Sequence, residues 1–409
     1  MMRRRAQAGF SLLELMVATV IAMASAVAIF QTMSVSEERR RSTSSGSEGL
    51  QSGVFGLAAL ERAVISAGYN LTAISDTTYT SPVRRITPGT GYVLSKTTPP
   101  RPEMHIGCSF TRGGTTHRVA PIIVTDGGSG IASDTLTVFT GSSTTVPLPV
   151  TVVGPLAVNA TSIPLSSALG MAINDWVLVY EQSSAANPGA TRPVACTLAR
   201  ITAVPASPGV SPAAITVDTG IAEAYAEPVL IHLGATPALE RFTVDGSGRL
   251  TVTNLLAGGT AQVLADNVVS MQIQLGIDIG NDDVIDDWIE PPSAASWWLN
   301  PSNPLPDNVI TTLPLNGPRP ARSLNQIKAV RIGLLIRSPQ FERAGEKGGC
   351  TTTADETRQV LPARAGDDAS NLPAMPSSGN YSLSGNQLCM RYNTVTTVLG
   401  VRNALLSEM

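Results

Sequence analysis

Polar and apolar positions divide the chain into three zones. In the first, residues 10–30 are apolar or small, with one charge, Glu14. About 21 residues rising 1.5 Å each span roughly 31 Å, the hydrocarbon thickness of a bilayer. Arg3, Arg4 and Arg5 precede the stretch. Basic residues stay on the cytoplasmic side, so they predict that the rest of the chain faces outward. Arg39, Arg40 and Arg41 oppose that bias from the far side, with Glu37 and Glu38 offsetting them locally. In the second zone the helix continues to Ser42-Thr43-Ser44-Ser45-Gly46-Ser47, poor helix formers that predict fraying or a bend. From 48 to 67 the helical period returns. Leu50, Val54, Leu57, Leu60 and Val64 recur at steps of four and three, which predicts one face packed on a sheet. Gly68 then stops the helix as a C-cap.

In the third zone, after residue 70, the dominant period is two. Strands are predicted at 119–125, 135–139, 150–153, 176–181, 215–217 and 229–232. Those at 239–244 and 249–253 flank Asp245-Gly246-Ser247-Gly248, a hairpin turn. Residues 268–277 alternate and lead into an acidic loop. Residues 327–337 form the clearest strand, with Val330, Ile332, Leu334 and Ile336 on one face and Arg331 and Arg337 on the other. Residues 338–388 read as a long loop, and 392–401 as the last strand. The expected fold class is α+β. A long N-terminal membrane-spanning helix precedes an antiparallel, β-rich globular head with large insertions. The expected divisions are a leader at 1–9, a membrane-spanning part at 10–30, an outer stem at 31–68 and a head at 69–409. The head would break into two subdomains near 235.

Composition narrows the function. Charged residues are 14% of the 409 and the net charge is −3, so no basic excess points to nucleic acid. The 29 prolines and 36 glycines fit many short strands and turns. Cys108, Cys196, Cys350 and Cys389 all follow the apolar stretch. An exported chain meets an oxidising compartment, so two disulfides are expected. Three pairings are open. The sequential one, Cys108–Cys196 with Cys350–Cys389, is preferred because each bond closes a loop within one region.

Glu14 is the chemical oddity. An ionised carboxylate in an apolar helix costs about 2.5–3.5 kcal/mol on insertion scales, so it marks function. A cut between Gly9 and Phe10 would free an α-amino group four residues from it. That amine is cationic below a pKa of about 7.7–8.0, and in an apolar place it needs a counter-charge. Glu14 of a neighbouring chain can supply one, and the pairing would set the stagger between packed helices. The rival reading is a secretory signal cut after Ala24-Ser25-Ala26. A glutamate inside an apolar segment of this length argues against it.

Gly9-Phe10-Ser11-Leu12-Leu13-Glu14-Leu15 resembles the prepilin signature of type IV pilins and pseudopilins. The resemblance implies that a prepilin peptidase cuts after Gly9, that Phe10 becomes a methylated N-terminus, and that Glu14 is the assembly carboxylate. Ala67-Gly68-Tyr69 at the helix end, Val330-Arg331-Ile332 and the closing run from Thr396 to Asn403 resemble PilW-type minor pilins. The likeness covers 9–70, 239–337 and 389–403, and is absent over most of 71–230. It implies a single-pass protein of the bacterial inner membrane with a periplasmic head, later moving to a pilus or the cell surface. The implied role lies in pilus assembly initiation or the tip complex. The implied partners are prepilin peptidase, other major and minor pilins and the inner-membrane assembly platform. A type II secretion pseudopilin and a tip adhesin are the alternatives.

Other candidate sites are weaker. Asp278, Asp282 and Asp286 fall at the first, fifth and ninth places of an EF-hand-like frame, so calcium is one reading. Gly280 at the third place, Asp283 at the turn and Ile289 at the last place favour a solvated acidic loop instead. No other cofactor is expected. His105, His117 and His232 share no metal-pair spacing and read as structural. Trp297-Trp298 reads as a plug onto a sheet rather than an adhesive patch. No Ser/His/Asp or Cys/His constellation is visible, so no enzyme is expected.

Overall fold

The computed structural model describes residues 11–71, 108–128, 132–146, 148–181, 195–277, 285, 287–291, 327–341, 357–364, 375 and 377–401. Helix α1, Leu12–Ser66, is continuous over 55 residues, a rod of about 80 Å. Of the fraying or bend expected at Ser42–Ser47, the fraying is not there, because tertiary packing overrides weak propensity. Ser45 is buried, and its hydroxyl accepts the Gln340 N–H at 3.4 Å. Gly46, Gly49, Gly53 and Gly56 recur at steps of three and four, on one face. A Cβ at Gly49 would stand 3.0 Å from the Arg337 carbonyl oxygen, and one at Gly53 would collide with Ile336. The Ser/Gly-rich stretch is therefore a seam of close approach to the sheet.

That seam also corrects the expected packing face. Leu60 and Val64 are fully buried, but Leu50 and Val54 are 43% and 53% exposed. The helix lies so near the sheet that glycines meet it, and the larger residues one step round are turned to the flank. At its end Gly68 takes φ +75° and its N–H reaches the Phe139 carbonyl at 2.8 Å, the stop its sequence promised.

Nineteen strands are described. In chain order they begin with β1 (Ser109–Arg112), β2 (Thr115–Arg118), β3 (Ile122–Thr125) and β4 (Thr135–Thr140). Next come β5 (Val150–Thr151), β6 (Ser162–Leu165), β7 (Trp176–Glu181), β8 (Thr197–Ala203), β9 (Ala213–Val217) and β10 (Pro228–Gly234). Then follow β11 (Ala238–Val244), β12 (Arg249–Asn254), β13 (Gln262–Asp266), β14 (Val268–Ile277), β15 (Asp287–Ile289) and β16 (Ile327–Arg337). The last are β17 (Thr357–Leu361), β18 (Ser378–Ser382) and β19 (Tyr392–Gly400).

A sheet of order β13-β12-β11-β4-β3 and another of order β15-β14-β16-β19 are both antiparallel and share one core with the outer end of α1. Leu136, Phe242, Met271, Ile332 and Leu334 meet Leu60 and Val64 there. The far face of β16, which carries Arg331, is covered as well. Arg331 is buried and donates to Gln274 Oε1 at 3.1 Å and to the Pro362 carbonyl at 2.6 Å. The cover includes the β17–β18 ribbon, which arises from the stretch read as a long loop.

Residues 141–237 lie between β4 and β11, yet those strands are direct neighbours, with Thr140 opposite Ala238 and Phe139 opposite Leu239. The intervening chain forms its own sheet of order β5-β10-β7-β8-β9-β6. A Val152–Leu165 bridge joins its two ends, with Val153 N–H to Pro164 O at 2.7 Å and Ser166 N–H to Thr151 O at 2.9 Å. The sheet is a closed six-stranded barrel, which removes free edges. Along β7, Val177 and Val179 fill the barrel, while Leu178 and Tyr180 face outward onto Phe110, Phe139 and Leu239. Burial on both faces explains why 176–180 is an unbroken apolar run.

Candidate functional site: the N-terminal helix and its junction with the head

Ser11 is the N-cap of α1. Its hydroxyl accepts the Glu14 N–H at 3.2 Å, and the Glu14 carboxylate accepts the Ser11 N–H at 3.2 Å. This reciprocal capping box satisfies two orphan donors and sets negative charge at the positive end of the helix dipole. The carboxylate is thus aimed at the start of the chain. Gly9 and Phe10 themselves lie outside the described residues.

From Leu12 to Ser34 the helix is long and apolar enough to cross a membrane, and none of it is buried against the head. Leu12, Met23 and Phe30 are each more than 70% exposed. Its polar side chains bond back to their own helix. Thr19 donates to the Met16 carbonyl at 2.9 Å, and Ser25 to the Ile21 carbonyl at 2.8 Å. Such back-bonding hides hydroxyls from an apolar surrounding. The segment's apolar side chains, by contrast, face outward all round and need cover from lipid or other helices.

Residues 4–30 match the model of the prokaryotic N-terminal methylation motif, and residues 232–403 match that of the type IV pilus-assembly protein W family. The chain thus carries a prepilin signature and a PilW-type region. No curated protein and no solved structure gives a significant match. The PilW-type match begins in β10, the last barrel strand, and runs through β19. It takes in most of the two core sheets and leaves nearly all of the barrel outside.

Besides the apolar contact through Leu178 and Tyr180, a disulfide and a polar chain fix the barrel to the body. The expected Cys108–Cys196 disulfide is present, with Cα atoms 5.6 Å apart. It ties the chain just before the β1–β2 hairpin to the start of β8, beside a Ser109–Ala195 bridge. Of the second expected pair, Cys389 is disulfide-bonded, and Cys350 lies outside the described residues.

The polar chain is one that the sequence did not reveal. Asn70, at φ +63° just past the helix, accepts the Ser143 N–H at 3.0 Å. The Ser143 hydroxyl lies 2.6 Å from His232 Nδ1, and His232 Nε2 lies 2.9 Å from Asp175 Oδ2. Serine, histidine and aspartate are therefore brought together after all, from positions too far apart in sequence to be read as a group. All three are at most 7% exposed, and Asp175 also accepts the Ala172 N–H at 2.7 Å. Ser143 and His232 stand at the two necks through which the chain enters and leaves the barrel. The network is a clasp between helix end, necks and barrel.

A second buried carboxylate sits in the body. Asp134 accepts the Gly127 N–H at 3.0 Å and the Ile273 N–H at 2.7 Å, holding a loop against β14. Burial pushes its pKa up to about 7, against the pull of those two donors and with help from Asp126 and Glu290. Asp278, Asp282 and Asp286, His105 and Trp297-Trp298 lie outside the described residues. Among the described residues no three His, Cys, Asp or Glu side chains are grouped to hold a metal.

Proposed function

We propose that the chain is a minor type IV pilin acting in pilus assembly initiation or the tip complex. It sits in the inner membrane through Leu12–Ser34 with its head in the periplasm. Prepilin peptidase cuts after Gly9, Phe10 is methylated, and the assembly platform passes the chain into a filament beside other pilins. Glu14 then gives up capping its own helix and pairs with the Phe10 amine of a neighbour. The observation that carries this reading is the form of α1. One unbroken rod has its outer half seated on a sheet and its first 23 residues wholly uncovered. A large insert on the head favours a place where subunits need not repeat.

The test is N-terminal sequencing and intact mass of the mature protein, with filament incorporation of Glu14→Ala. A methylated start at Phe10 is expected, and Glu14→Ala should be cut and membrane-bound but missing from sheared pili. A start at Val27 would show ordinary signal cleavage and end the pilin reading.

A further inference from the structure

We propose that the open edge of β19 is a docking site for an extended, uncharged segment of a neighbouring pilin, added as a fifth strand to the β15-β14-β16-β19 sheet. This rests on the pilin reading above. β19 pairs with β16 in an unbroken register from Tyr392 to Gly400, and among the described residues no strand pairs with its other edge. Asn393, Thr394, Thr396 and Val398 are exposed, Val398 by 47%. Natural edges are blunted by charge, proline, a bulge or short length. From Asn393 to Gly400 there is no charge, no proline and no register shift. Three other places that could offer an edge do not offer one of this length. The barrel is closed, β15 has three residues, and the Ser52 hydroxyl of α1 bonds both the N–H and the carbonyl of Asp266 on β13.

Main-chain groups at strand spacing that no described strand pairs are matched by an extended polypeptide, and the uncharged Thr and Val side chains beside them favour an uncharged one. Geometry identifies its source. Gly46 faces Arg391 and Gly53 faces Val395, so β19 and α1 run side by side away from the membrane span. A subunit held in the same membrane by a parallel helix can lay a segment along this edge without inversion. The flank of α1 bordering β19 is also apolar. Ser52 bonds β13 on one side of the helix, which turns exposed Leu50 and Val54 to the other. The edge thus continues the uncovered surface that begins at Leu12.

The test uses the full chain in pilus-forming cells. Thr396→Cys and Val398→Cys are compared with Val153→Cys and Val210→Cys, exposed positions on the barrel. The introduced thiols are labelled with a benzophenone maleimide and irradiated, so that the probe inserts into C–H bonds of whatever chain lies beside it, and the adducts are resolved on gels and their partners identified by mass spectrometry. Adducts with another pilin from 396 and 398, but not from 153 and 210, are expected. A Thr396→Lys/Val398→Lys variant should fall at least tenfold in sheared filaments at an unchanged membrane level. Adducts only between two copies of this chain, adducts equally from the barrel positions, or undiminished incorporation of the lysine variant would overturn the proposal. Sequencing of the N-terminus separates the two readings. Protein that starts at Phe10 yet gives no edge adduct sinks the docking site and leaves the pilin reading standing. Edge adducts with a chain cut elsewhere do the reverse.

Discussion

Glu14 has two possible roles in one carboxylate, a cap for its own helix and a counter-charge for another chain. Glutamine separates them, since it can still accept the Ser11 N–H but carries no charge. Both Glu14→Gln and Glu14→Ala should insert and be cut, because removing a carboxylate from an apolar helix eases insertion. Both should then fail in filaments, since an unpaired buried amine costs about 3–5 kcal/mol. Co-purification with sheared pili measures this, and normal incorporation of the glutamine variant would assign Glu14 to capping alone. Asp134 gives a pH signature. Its folded pKa of about 7 lies above the unfolded value of 3.8, so the folded state binds the extra proton. Its contribution is therefore fully present below about pH 4 and is lost as pH rises through 7, at up to ~1.4 kcal/mol per unit. In denaturant titrations from pH 4 to 7, Asp134→Asn should show a flatter decline than wild type. Equal slopes would mean that the two backbone donors keep Asp134 ionised throughout.

At the scale of elements, sequence periodicity reported what each strand or helix buries, and was blind to what lies beyond its own length. Strands 176–181, 268–277 and 327–337 were read to the residue, because long apolar or alternating runs carry their own signal. The β17–β18 ribbon was missed because it is held by the far face of β16 and little in its own residues announces it. The β1–β2 hairpin had a usable sign in Gly113-Gly114, both at positive φ. The stem shows the opposite error, in which a glycine-rich run reads as weakness and serves as contact. A prediction follows with an unusual sign. In an exposed helix Gly→Ala gains about 1 kcal/mol, but at Gly53 the new Cβ meets Ile336. Gly53→Ala should instead lose about 1–3 kcal/mol through overpacking, while exposed Ser47→Ala gains a few tenths to 0.5 kcal/mol, roughly its propensity difference. Thermal unfolding of the two variants checks this, and stabilisation by Gly53→Ala would show that helix and sheet are not in close contact.

For the whole molecule, the position of the insert argues that a pilin body and a barrel are separable in folding but joined in stability. Thr140 and Ala238 are cross-strand partners, so the body's sheet needs only a tight turn where the barrel now stands. The matched family region, 232–403, supplies most of that body. Removing residues 142–236 leaves Gly141-Pro237 as a short link, and Cys108→Ser removes the orphaned thiol. The shortened chain should still insert, be cut after Gly9 and keep the sheets that bind α1. It should also be weaker, because the barrel's outer residues Leu178, Tyr180 and Ile231 cover Phe139, Leu239 and Val119, now fully buried. Exposing each large side chain costs about 1.5–3 kcal/mol, less whatever the remaining chain recovers by local collapse. Replacing Leu239 by Thr and Phe139 by Tyr in the shortened chain should recover solubility by giving that face polar atoms at positions that now meet water. Circular dichroism and protease resistance in detergent read the outcome. A shortened chain that is unfolded even with both replacements would show that barrel and body are one cooperative unit. The junction through Asn70, Ser143, His232 and Asp175 would then be part of the core rather than a clasp between two folds.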